Sequence, residues 1–227
     1  MKHVYMAFAV ASVLTAAQAA LADDTSAKYS VTFDGTWSAA THPMEYPSNA
    51  HFSGLIGATH DAGYVLFRDG QTATDGLEKL SEMGAHSPLD KEIRAAIEKG
   101  DAGALVESDP LFNLPSSTSV TFTIDPKHPM VSFVAMIAPS PDWFAGVADL
   151  DLREGGRWAS RKEVTLFAWD AGTDNGTTYK ADDADAEPRA AVSPNRSPHF
   201  VMSGAAVPVG KLTFEKLAEM PAKLSQK

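Results

Sequence analysis

A mainly β framework with two short helices set between its strands is predicted from three features of the chain. Apolar and polar residues alternate along Tyr29-Ser-Val-Thr-Phe33, the period of a strand with one buried face. From Ser119 onward, apolar or alternating runs at 120–124, 130–137, 147–152 and 164–169 follow one another with turn-forming residues between them. In two stretches between these regions the apolar period lengthens to that of a helix, each stretch bounded by cap residues. The 227 residues, 44% of them hydrophobic, can support one substantial core, and no linker divides them. A single domain over 23–227 is expected.

Residues 1–22 read as a secretory signal peptide. A short basic start at Lys2 and His3 leads into an apolar run too short to span a bilayer, and Gln18-Ala-Ala-Leu-Ala22 supplies small residues at A-x-A spacing. Cleavage is expected near Asp23, with Ala20 as the alternative start. Removing 1–22 lowers Lys+Arg from 19 to 18 against 29 Asp+Glu, a formal charge of −11. An acidic exported chain is poorly suited to bind nucleic acid or anionic lipid through bulk charge. No other segment is long and apolar enough to cross a membrane, so the chain is expected in the periplasm or released. Cysteine is absent, and stability must come from packing, with a bound ion able to add to it by mass action. The short leader and the missing cysteines point to a bacterial source.

The first strand, Tyr29 to Phe33, closes at Gly35 and Trp37. Residues 41–50 form a Pro-punctuated loop, and a Gly-rich passage from His51 leads to an apolar strand at Tyr64-Val-Leu-Phe67. His51, Ser53, His60 and Asp61 in this passage could serve as metal ligands or as a hydrolase triad, and an envelope hydrolase would use the His51, Ser53 and His60 cluster. No G-x-S-x-G elbow or H-E-x-x-H spacing accompanies them, and buried, hydrogen-bonded histidines are the alternative.

Thr74 to Gly84 reads as a helix with Leu77, Leu80 and Met83 on one side and Gly84 at its end. A second helix starts with Ser87 as cap and Pro88 in first position, carries Leu89, Ile93, Ala96 and Ile97 as its stripe, and stops at Gly100. Among the later strands, Gly155-Gly156 marks a turn. Trp143, Trp158 and Trp169 are read as core or rim packing. Asp182-Asp-Ala-Asp185 and the Pro/Ser-rich 188–198 form a mobile acidic loop whose charges solvate it. The final strand runs from Val207 to Leu217 with Leu212 and Phe214 facing one way. Asn175-Gly-Thr177 matches a glycosylation acceptor to which no function is assigned.

Two loops stand out for chemistry. Ile137-Ala-Pro-Ser-Pro-Asp-Trp-Phe-Ala-Gly146 and Trp169-Asp-Ala-Gly-Thr-Asp-Asn-Gly176 each follow an apolar run and turn abruptly to Pro, Gly, Asp and Thr. Asp142, Asp170 and Asp174 are the acids they present. Ca²⁺ takes about six to eight oxygens, from carboxylates, carbonyls and water, in a tolerant geometry, and these loops offer such groups. The competing reading is that the aspartates cap turns through Asx hydrogen bonds. The D-x-D-x-D-G run and terminal Glu of an EF-hand are missing.

These residues carry a resemblance to the spondin N-terminal domain family, the module of F-spondin and mindin. The matching pieces are Tyr29 to Trp37, His42-Pro43, Tyr46-Pro47, His51 to Gly57 with His60, Pro139-Ser-Pro-Asp-Trp-Phe144 and Asp170-Ala-Gly-Thr-Asp174, in family order. The resemblance implies an antiparallel β-sandwich similar to a C2 domain, Ca²⁺ held between loops, and a non-enzymatic role in recognition or adhesion toward a protein or glycan partner. It places the family's metal-binding aspartates on Asp142 and Asp170. A further family carboxylate falls at Thr123, with Asp125 as the nearby acid. The family's animal members carry disulfides that this chain lacks.

Overall fold

The computed structural model describes residues 25–220. Its strands are β1 (Ser26–Gly35), β2 (His51–Phe52), β3 (Ile56–His60), β4 (Ala102–Glu107), β5 (Ser116–Ile124), β6 (Met130–Ala138), β7 (Trp143–Asp151), β8 (Arg153–Glu154) and β9 (Arg157–Trp158), followed by β10 (Arg161–Leu166), β11 (Ala168–Asp170), β12 (Ser193–Pro194), β13 (Val201–Met202), β14 (Ala205–Ala206) and β15 (Gly210–Met220). Helices α1 (Asp75–Met83) and α2 (Leu89–Lys99) lie between β3 and β4. The proposed leader lies outside the described residues.

Two antiparallel sheets make the sandwich. One has the order β10-β15-β1-β5; the other runs β12-β11-β7-β6-β3-β4, with β2 also paired to β6. The main core lies between them: Tyr29, Val31 and Phe33 of β1 and Leu212 and Phe214 of β15 meet Phe133, Ala135 and Ile137 of β6. The Phe133 and Phe214 rings sit 6.0 Å apart. Alternation along β1 follows from this, because only one of its faces is covered.

The larger sheet is covered on both faces. Ile56, Ala58, Val134 and Phe144 on its second face pack against Leu77, Leu80, Leu89 and Ile93 of the helices. That is why β6 reads as a continuous apolar run: every residue after Met130 is buried.

Thr74 caps α1, its Oγ1 accepting from the Leu77 amide at 3.2 Å, and Gly84 ends it in the left-handed region. The stripe stops short of the last turn, because Met83 is 70% exposed. The start of α2 differs from the sequence reading. Pro88, not Ser87, is the N-cap and makes no side-chain cap; the first turn is closed by backbone instead, with the Asp90 amide donating to His86 O. Glu92 reaches back to α1, taking the Gly76 amide at 2.8 Å and the Thr74 hydroxyl at 2.7 Å, which fastens the helix pair.

Three further expectations are corrected. Residues 64–67 form no strand; Leu66 and Phe67 are buried there as a loop under the helices, with Phe67 edge-on to Phe144 and Trp169. A short apolar run buries equally well without pairing. The run 164–169 is not one strand but two, β10 in one sheet and β11 in the other, parting at the exposed Phe167. The stretch 182–198 is not a mobile loop. The Ala186 amide donates to Thr173 O, Ala190 to Gly172 O and Asn195 to Ala168 O, which lace it onto the second acid loop and β11.

Candidate metal site

The two acid loops emerge together because β6, β7 and β11 are neighbours, with Trp143 opposite Asp170 in the β7–β11 ladder. Ser140 closes the first loop, its Oγ accepting from the Trp143 amide at 3.1 Å. This turn swallows Asp142, which is 0% exposed. Its Oδ2 accepts from the Thr173 amide at 2.8 Å and the Asp174 amide at 3.2 Å, and its main-chain carbonyl takes the Ala171 amide at 3.1 Å. Its Oδ1 is buried and has no hydrogen-bond partner.

The second loop is shaped by its own acids. Asp170 Oδ1 accepts from the Gly172 amide at 2.9 Å, an Asx turn that needs Gly172 at a φ of 72°. Asp174 Oδ1 takes the Gly176 amide at 2.5 Å, and its Oδ2 takes Ala184 at 2.8 Å. Turn capping is therefore present at both Asp170 and Asp174. It does not exhaust them, since a carboxylate oxygen accepting one hydrogen bond keeps a lone pair free.

Electrostatics separate Asp142 from an ordinary cap. Burial pushes its carboxyl up to about 6, the nearby Asp170 and Asp174 charges push the same way, and the Thr173 and Asp174 amides oppose them only in part. Asp170 is also raised, by burial first, with Asp174 adding and the Gly172 amide and Trp143 side chain opposing. No cationic side chain stands among the groups that set either carboxyl. Among the described residues no three His, Asp or Glu side chains already converge as a closed cage. The site offers Asp142 and Asp170 with Asp174 beside them, and a Ca²⁺ held there would take its remaining oxygens from carbonyls and water.

Thr123 lies elsewhere. It is exposed on β5 opposite Lys28, at the end of the sandwich remote from the acid loops. Those loops are level with the other end of β5, where Ser116 pairs Gly35 and Gly35 packs on Phe52, the partner of Ile137. The Ser116–Thr123 span is about 23 Å of strand. Asp125 at the same remote end caps its own turn, accepting from the Lys127 and His128 amides.

Residues 27–201 match the Spondin_N family. The chain belongs to the Spondin_N family. Its relatives include spondin-2 of Rattus norvegicus, 37% identical over 210 residues, and spondin-2 of Homo sapiens, 36% identical over the same length; each alignment covers 86% of this chain and 63% of the relative. Spondin-1 of Xenopus laevis is 35% identical over 209 residues, covering 85% of this chain and 25% of the relative. This Spondin_N chain thus spans less than two thirds of the length of the relatives it matches.

Of the residues of the hydrolase alternative, His51 and Ser53 line one cleft of this Spondin_N chain, but His60 is not brought to them. His51 pairs with Ala138 and His60 with Met130, opposite ends of β6 and about 26 Å of strand apart. Ser53 Oγ donates to Gly54 O and accepts from the Met136 amide. His60 is fully buried, bonded through Nδ1 to Asp61 O and through Nε2 to Ser132 Oγ, both at 2.8 Å. Sequence reasoning missed the lacing of 184–190 onto the second acid loop, whose only trace was the pair Gly172 and Gly176.

Proposed function

We propose that this chain is an exported, non-enzymatic recognition module that holds one Ca²⁺ between the 139–146 and 170–176 loops and engages a protein or glycan of the cell envelope or its surroundings. The observation that carries the metal reading is Asp142: a fully buried carboxylate with one oxygen unpartnered and a second carboxylate as its main charged neighbour. An isolated buried anion is costly unless paired or bound to metal, and a cation at Asp142 and Asp170 would relieve both. The donor set is all oxygen, which suits a hard cation over a transition metal. When bound, the ion would tie the two loops into one rigid rim and present a fixed surface to a partner. The export reading rests on the leader-like 1–22.

Thermal melts with added calcium test it. With two or three carboxylates, Kd is expected in the range of weak extracellular modules, about 10⁻⁴–10⁻³ M, so the titration reaches tens of millimolar. At a hundredfold excess over Kd the folded state gains roughly 2.7 kcal/mol. Asp142→Asn, Asp170→Asn and the double variant should each lose that increment, by similar and non-additive amounts. A wild-type melting temperature that stays still over the whole range rejects the calcium site. Pull-down from the native culture with and without chelator then asks whether partner capture follows the ion.

A further inference from the structure

Where β10 and β11 part at Phe167, a cleft of about 560 Å³ opens that the proposed calcium rim does not use. Its volume falls within the range of small-molecule sites, about 300–1,000 Å³. Val147, Phe167, Trp169 and Phe200 give it apolar walls, and Phe167 is left 39% exposed at its mouth.

Asn195 supplies the polar feature. It lines the cleft and is 6% exposed; its amide N–H donates to Ala168 O and its Oδ1 accepts from Ser197, while its Nδ2 is buried without a partner. A buried donor left unmade costs free energy that an incoming acceptor would recover. Arg196, next along the chain and also lining the cleft, is exposed. The other cation there, Arg68, is engaged by Asp149 at 3.0 Å. Asp69 is the acid of the lining, but the Gly70 amide donates to Val192 O at 2.9 Å. That places Asp69 toward the Val192 end of the 192–196 run, up to about 13 Å of extended chain from Arg196.

We propose that this cleft binds an apolar carboxylate. The tail would lie against Val147, Phe167, Trp169 and Phe200, and the carboxylate would accept from Asn195 Nδ2 and pair with the Arg196 guanidinium, whose planar fork matches two oxygens.

Calorimetric titration of the full chain with decanoate and, separately, decanol tests this, in chelator so that no calcium soap forms. Decanoate should bind saturably and roughly tenfold tighter than decanol, the difference made by charge-assisted hydrogen bonds to the head. Arg196→Ala should erase most of that preference and leave decanol binding in place. Asn195→Asp keeps the acceptor that holds Ser197 but removes the donor and adds a like charge, so it should abolish decanoate binding selectively. Ala206→Phe, filling the cleft from its wall, should remove both ligands while the melting temperature stays near wild type. Equal affinity for the two ligands, an Arg196→Ala variant with its preference intact, or no saturable binding of decanoate up to about 1 mM would overturn the proposal.

Discussion

Asp142 is the residue whose behaviour tests the local physics most directly. Its carboxyl, raised to about 6 in the fold, lies above the ordinary Asp value near 3.9. A raised acid contributes stability that is complete below about pH 4 and is lost as pH climbs through about 6. In chelator the chain is therefore expected to lose stability between about pH 3 and pH 7, by on the order of 3 kcal/mol from this group in all and about half of that above pH 5. Asp142→Asn keeps the acceptor for the Thr173 and Asp174 amides and removes the charge, so it should flatten that slope and match or exceed wild type at pH 8 without calcium. Urea melts across the range read both. Calcium should reverse the order at pH 8 and have a smaller effect at pH 5, where the proton competes for the site. A wild-type slope identical to that of Asp142→Asn would mean the carboxyl is not strained by its burial.

At the scale of elements, the second acid loop depends on a backbone that only glycine accepts easily. Gly172 sits at a φ of 72°, and a Cβ there would come within 2.6 Å of Ala190 O. Left-handed geometry costs an alanine about 1–2 kcal/mol, and the contact with a fixed carbonyl adds to that. Gly172→Ala is expected to lower stability by about 2–4 kcal/mol. It should also weaken calcium binding, because the 170–176 and 184–190 segments must separate to admit the methyl group. Equilibrium unfolding with and without calcium measures both effects. A variant that loses stability but keeps wild-type calcium response would separate the lacing of this loop from the site.

Across the whole molecule, the two cores share one sheet. Phe133 on β6 faces the sandwich core and its neighbour Val134 faces the helices, so neither core can come apart without disturbing the other. Phe133→Ala is expected to cost about 3–5 kcal/mol and to shift a single transition seen alike by near-UV aromatic signals and far-UV circular dichroism. Two separated transitions would show that the helical layer melts on its own. The proposed export is tested at the same scale. N-terminal sequencing of the secreted protein should find a start close to Asp23 or Ala20, and intact Met1 on soluble cytoplasmic protein would refute it.

Period and punctuation in the sequence determined the β framework, the two helices with their Gly84 and Gly100 stops, and the buried faces of β1 and β15, because each of these follows from local spacing and from which residues must leave water. They also singled out Asp142, Asp170 and Asp174, since Pro and Gly around an acid at a strand end mark a shaped loop. Only the tertiary structure decided what needs partners distant in the chain. The run 164–169 divides between sheets because Ala168 to Asp170 find β7 while Val164 and Leu166 find β15. The 64–67 run buries without pairing, and Thr123 ends up far from the loops to which the family resemblance joined it. The state of Asp142 was decided in the same way. Its burial, its orphan oxygen and its proximity to Asp170 arise from the packing of β6, β7 and β11 side by side, and a carboxylate's surroundings, unlike its position in a loop, are not written in its neighbours along the chain.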